Sequence, residues 1–183
     1  SGYAYLYSST IFNSVPKIQS FIQLTEVTGG DFTTPIFFGS ASAGYGIAVI
    51  YTASGSGIIL RSGKEQNGFI LGGAVQTVSG YSPSRKFAVQ QNPAGSNIVI
   101  SWLDGSTNNG ITLSAIVNSG GNAVFGSTNT VYTGADSGCV PGLAYCSNIG
   151  SMVLVGCSST GSVYNTTVFT PDGYSSNAQS FIG

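Results

Sequence analysis

Along residues 97–103 apolar side chains occupy both alternating faces, with Ile98, Ile100 and Trp102 on one and Val99, Ser101 and Leu103 on the other. Successive side chains of a strand point to opposite sides, so this pattern predicts a strand covered from both directions. Residues 104–109 are a run of turn formers, and Asn109-Gly110 predicts the reversal because both residues accept positive φ. Residues 111–117 alternate again, Ile111, Leu113, Ala115 and Val117 against Thr112, Ser114 and Ile116. Residues 118–122 turn the chain once more, and a more polar strand follows through Val124, Phe125, Thr128, Thr130 and Tyr132. The three strands make an antiparallel meander that grows more polar outward.

Four segments share the character of the first of these strands, beginning at Ala4, Ile47, Ile98 and Met152. Each is followed by a turn of small residues and then by another apolar strand. A short strand precedes three of them, at residues 36–40, 86–90 and 143–146. A drifting period near fifty residues with about four strands per unit is the pattern of β-propeller blades. The expected fold is all-β: repeated antiparallel meanders, β-propeller-like, in one domain over residues 1–183. Its four blade-like units lie at roughly 1–35, 36–82, 83–137 and 138–183. A β-sandwich is the fallback with the same strand count. The chain opens at what would be the second strand of a unit, with a turn at Ser8-Ser9, and carries no initiator Met. Two readings stay open, a small ring or part of a larger array. No stretch combines strong helix formers with helical spacing, so little helix is expected.

Composition narrows the function classes. Only 6% of the 183 residues are charged and the formal net charge is −1, so the chain lacks the cations that hold a phosphate backbone, and no nucleic-acid partner is expected. Arg85-Lys86 is the one adjacent basic pair, and it reads as a solvated strand end. Mean hydropathy is positive, yet Gly or polar residues break every apolar run well short of the ~18 residues a spanning helix requires, so no membrane insertion is expected. No signal peptide is visible at the N-terminus.

Candidate chemistry is sparse. There is no histidine, which removes the commonest general base and transition-metal ligand. The six carboxylates, Glu26, Asp31, Glu65, Asp104, Asp136 and Asp172, are far apart in sequence, and the last three adjoin Gly or Ser in turn-like contexts. They read as turn caps before they read as the facing pair of a glycosidase. Gly55-Ser56-Gly57, Gly44-Tyr45-Gly46 and Gly72-Gly73 precede no helix, so none makes a nucleophile elbow or a phosphate loop. No catalytic residue, cofactor or metal is expected. Cys139, Cys146 and Cys157 all fall in the last unit. A hairpin turning at residues 147–151 would set Cys157 opposite Pro141, close enough for a Cys139–Cys157 disulfide that leaves Cys146 over. Three buried thiols are the alternative. Asn165-Thr166-Thr167 fits the glycosylation triplet, which is common by chance in so Ser-, Thr- and Asn-rich a chain. Among the ten tyrosines, Tyr45, Tyr81, Tyr132 and Tyr174 lie at or beside predicted turns. There an aromatic ring with Asn and Asp nearby suits a glycan or a protein partner, although partial burial at strand ends is the plainer reading.

The central unit also resembles the roughly fifty-residue repeats of phage tail-fibre-like and related virion surface proteins. Trp102, Asp104-Gly105, Asn109-Gly110 and Phe125-Gly126-Ser127 carry the likeness. They reproduce an apolar strand ending in an aromatic, an Asp-Gly and Asn-rich turn, a Gly-led strand and a Phe-Gly-Ser step into a polar strand. The resemblance implies a non-enzymatic virion surface or tail-fibre structural protein, on the virion surface or extracellular. It would associate with itself or other virion proteins and mediate assembly or host attachment, including contact with host surface glycans. A secreted or cell-surface propeller lectin is the alternative, and a polysaccharide-degrading enzyme the third reading.

Overall fold

A computed structural model describes residues 4–12, 15–24, 33–40, 44–53, 57–66, 69–77, 83–93, 97–118, 122–134, 142–157, 163–169 and 175–182. Among them are fourteen strands and no helix, so none that could cross a membrane. The described residues are all-β, and every strand pairing among them is antiparallel. Strands β1 (Ala4–Phe12) and β2 (Val15–Leu24) form a two-stranded first sheet. The second sheet runs in chain order through β3 (Thr33–Ser40), β4 (Gly44–Ala53), β5 (Gly57–Gln66) and β6 (Phe69–Thr77). The third takes β7 (Pro83–Gln91), β8 (Asn97–Asp104), β9 (Gly110–Val117) and β10 (Ala123–Tyr132). The fourth takes β11 (Gly142–Cys146), β12 (Ser151–Cys157), β13 (Val163–Phe169) and β14 (Ser175–Ile182).

The two-faced strand at residues 97–103 is the centre of the packing. Ile98, Ile100 and Trp102 of β8 point into one core with Ile111, Leu113 and Ala115 of β9, Ala123 of β10 and Leu60 of the second sheet. Val99 and Leu103 point the other way, into a second core with Val131, Met152 and Leu154, against which Leu143 and Tyr145 of the fourth sheet pack. All five of these β8 side chains are fully buried. The third sheet is thus enclosed between its two neighbours, as the doubly apolar pattern predicts. Ser101, the polar residue in this strand, donates from its hydroxyl to the carbonyl of Ile111 at 3.1 Å, which makes its burial tolerable. A bond from Gln76 Nε2 to the carbonyl of Ala123 at 2.8 Å ties β6 to β10. Corresponding strands of successive sheets are neighbours: β3 packs beside β7 and β7 beside β11, while β2, β6, β10 and β14 form a second row.

Several details differ from the sequence expectation. Ser8-Ser9 is not a turn: β1 runs through it, and the register against β2 shifts there as a bulge. Small polar residues fit a bulge and a turn equally well, so composition alone misassigned them. Strands β4, β8 and β12 are each second in their sheets, but β2 lies beside β6, the last strand of its sheet. The segment at Ala4 therefore takes a third-strand position rather than the second. The Phe125-Gly126-Ser127 step is another bulge, where the pairing of β10 with β9 jumps between Phe125 and Thr128. The Gly63–Gly72 pairing lies beside a third, between β5 and β6. The basic pair Arg85-Lys86 sits in the irregular stretch of β7 between Pro83 and Phe87.

Candidate functional site

A five-residue loop joins β8 to β9 at residues 105–109. Asp104 ends a strand whose side chains are buried on both faces, and its own side chain is only 6% exposed. The backbone closes around it: Asp104 N–H donates to the carbonyl of Asn109 at 2.9 Å, and Asn108 N–H donates to the carbonyl of Asp104 at 2.8 Å. Asn108 carries the left-handed conformation, with φ of 56°, which Asn adopts more readily than most residues. The positive φ therefore falls one residue before the Asn109-Gly110 dipeptide where the sequence placed it.

Within this loop Asp104 is an acceptor for its own turn. Ser106 N–H reaches Oδ1 at 3.2 Å, and the Ser106 hydroxyl reaches both carboxylate oxygens at 3.0 Å. The Thr107 hydroxyl donates to Oδ2. Burial alone would raise the carboxyl pKa, but the donors from Thr107 and Ser106 outweigh it and hold the group below its ordinary value. The turn-cap reading of Asp104 is what the geometry shows. Its charge is spent inside the loop, while Gly105, Ser106 and Thr107 stay exposed. What the arrangement offers is an exposed loop of fixed shape, its Ser106 and Thr107 donors held by Asp104.

The register brings one of the four singled-out tyrosines here. Tyr132, the last residue of β10, pairs with Gly110, the residue that closes the loop. Pro83, the first residue of β7, pairs with Asp104 on the other side. Tyr45 is elsewhere, the second residue of β4 and opposite Gly39. Tyr81 and Tyr174 lie outside the described residues. Of the other carboxylates, Glu65 stands in β5 opposite Ile70, and Glu26, Asp31, Asp136 and Asp172 lie outside the described residues. Among the described residues no three His, Cys, Asp or Glu gather as metal ligands.

For the cysteines, the β11–β12 hairpin forms as expected but one residue tighter. Cys146 pairs with Ser151 and Tyr145 with Met152, because Gly150, with φ of 63°, ends the turn. Cys146 is a free thiol, half-buried rather than fully buried. Cys157 ends β12 opposite Tyr164. Cys139 lies outside the described residues. Asn165 is an interior residue of the fourth sheet, paired with Gly156 on one side and Ser180 on the other. The sequence reading missed the Asn92–Asn97 clasp between β7 and β8, a backbone bond at 3.0 Å backed by an amide–amide bond at 2.8 Å. Its signal was present in Asn92-Pro93, a dipeptide that favours turn initiation.

Comparison with protein-family models, with curated proteins and with solved structures gives no match.

Proposed function

We propose that this chain is a non-enzymatic structural protein of a virion surface or tail fibre, and that its sheets are β-propeller-like blades. The observation that supports the reading is the enclosure of β8: five consecutive-face side chains buried between three stacked sheets. That stack holds its polar hairpin turns in place from behind. The turn at Asp104, with its carboxylate held by the Ser106 and Thr107 donors and residues 105–107 exposed, is a rigid contact surface of the kind an attachment protein presents to a host. Detection of the chain by mass spectrometry in particles purified from the source of the sequence is the expected result. Its absence from particles, or release of reducing sugar from polysaccharides that Asp104→Asn abolishes, overturns the reading.

The pairing of Tyr132 with Gly110 favours a glycan as the ligand of that turn, in an attachment protein or in a lectin. Tyr132 is the residue type that sugar recognition uses beside a Ser-, Thr- and Asn-rich turn, and its register position opposite Gly110 sets it at the end of this loop. A glycan array probed with wild type, Tyr132→Ala and Asn108→Gly separates the cases. Binding that Tyr132→Ala removes supports a glycan at this turn.

A further inference from the structure

Asn109-Gly110 closes the Asp104 turn, and Asn-Gly is the dipeptide most prone to modify itself in water. Glycine has no Cβ to hinder its nitrogen, so the Gly110 nitrogen can attack the side-chain amide carbon of Asn109. In that step the Gly110 N–H gives up its proton, a C–N bond forms to close a five-membered imide, and the Asn109 amide nitrogen leaves as ammonia. Water then opens the imide at either carbonyl. The product is aspartate or, with one more methylene in the backbone, isoaspartate. Either product puts a carboxylate across the hairpin from Asp104, whose N–H meets the Asn109 carbonyl at 2.9 Å.

The fold decides whether the attack can occur. The bond between Asp104 and Asn109 makes them a hydrogen-bonded pair at the end of the β8–β9 ladder. Backbone groups of successive strand residues point to opposite sides. Gly110, one residue on, therefore turns its N–H away from β8 and toward β10, where its partner is Tyr132. Gly110 is also buried. To reach the Asn109 side chain its nitrogen must rotate out of the sheet, which breaks the pairing on both sides. We infer that Asn109 is a deamidation site gated by the Gly110–Tyr132 pairing, inert while the end of β10 is docked and reactive when that end frays. The chain's other Asn-Gly pair, at residues 67–68, lies outside the described residues. Like charges facing each other across paired strands repel, and Asp104 is already an almost fully buried carboxylate. A modified turn therefore does not reclose in its former shape. The gate governs how long the exposed loop keeps that shape, whatever it contacts.

Incubation of the full chain in mildly alkaline buffer, followed by peptide mapping and mass spectrometry, tests the gate. Conversion of Asn109 is expected to be about tenfold or more slower in the folded chain than in chain held unfolded in urea, because opening of the strand end must precede reaction. Tyr132→Pro removes the backbone N–H that Tyr132 brings to the pairing and should speed conversion in the folded chain. Fluorescence of Trp102 reports whether that variant is folded. If it is not, hydrogen exchange at the Gly110 amide of the wild type takes its place and should be slow. Equal conversion in folded and unfolded chain, a folded Tyr132→Pro that converts no faster, or a rapidly exchanging Gly110 amide overturns the gate. None of these outcomes bears on what the turn binds.

Discussion

Gly126 of β10 lies so close to Ser114 of β9 that a methyl group on its Cα would fall 2.5 Å from the Ser114 hydroxyl. The contact sits in the bulge between Phe125 and Thr128 and gives the Phe-Gly-Ser step a physical reason: a residue with a side chain there collides with the neighbouring strand. The colliding atom is a hydroxyl that can rotate, and nothing else comes within 3.6 Å, so the penalty is moderate. Gly126→Ala is expected to cost about 1 kcal/mol, at the low end of overpacking. In a Ser114→Ala background the cost should disappear. A double-mutant cycle by urea denaturation measures it, and a coupling energy near zero would show that the contact does not constrain this position.

Trp102 pairs with Phe87 on one side and Ile111 on the other, fully buried in the core that Leu60 reaches from the second sheet. Trp102→Ala should cost about 3–5 kcal/mol, as emptying an aromatic core site does. Trp102 is the chain's single tryptophan, so native fluorescence reports this interface alone. It should be blue-shifted and poorly quenched by iodide, and an emission maximum like that of free tryptophan would contradict the packing.

The course of β8 is legible in the sequence because both its faces are apolar, and only enclosure satisfies two apolar faces. The hairpin of residues 142–157 was legible in outline, but its register slipped by one. A turn of small polar residues can close at Gly150 or at Ser151, and pattern alone does not choose. Bulges escaped for a related reason: Ser8-Ser9 and Phe125-Gly126-Ser127 look like punctuation, and whether the chain reverses or merely kinks there depends on the partner strand. At the candidate site the sequence marked Asp104 as a turn cap. It could not place Tyr132 beside Gly110, since that neighbourhood depends on the β9–β10 register and its bulges.

Asn108 is the only described non-glycine residue with positive φ, and it anchors the turn through its N–H to the Asp104 carbonyl. Asn108→Gly keeps that conformation available and should leave stability within a few tenths of a kcal/mol. Asn108→Val forces a β-branched side chain into the left-handed region and should cost about 1–2 kcal/mol. Midpoints of urea unfolding distinguish them. Equal midpoints would mean that the loop relaxes into another conformation at no cost.

The last prediction concerns pH and the carboxylate of Asp104. Its pKa is lowered in the folded chain: burial opposes ionisation, and the Thr107 and Ser106 donors more than offset it. In the unfolded chain the same carboxyl titrates near ~3.9. A group whose pKa falls on folding contributes stability that is fully present above its unfolded value and is lost as pH drops through the folded one. The contribution of Asp104 should therefore be complete at neutral pH and should fade below about pH 4. Asp104→Asn keeps one acceptor but turns an NH2 group toward hydroxyls that formerly donated to an oxygen, so at pH 7 it should cost about 1.5–3 kcal/mol, the range for hydrogen bonds to a charged acceptor. Only this carboxyl group differs between wild type and variant, so the difference between them isolates Asp104. That difference should shrink steadily as urea unfolding is repeated from pH 5 toward pH 2. A gap that stays constant across this range would mean the Ser106 and Thr107 donors do not favour the ionised form, and the account of the turn would fall with it.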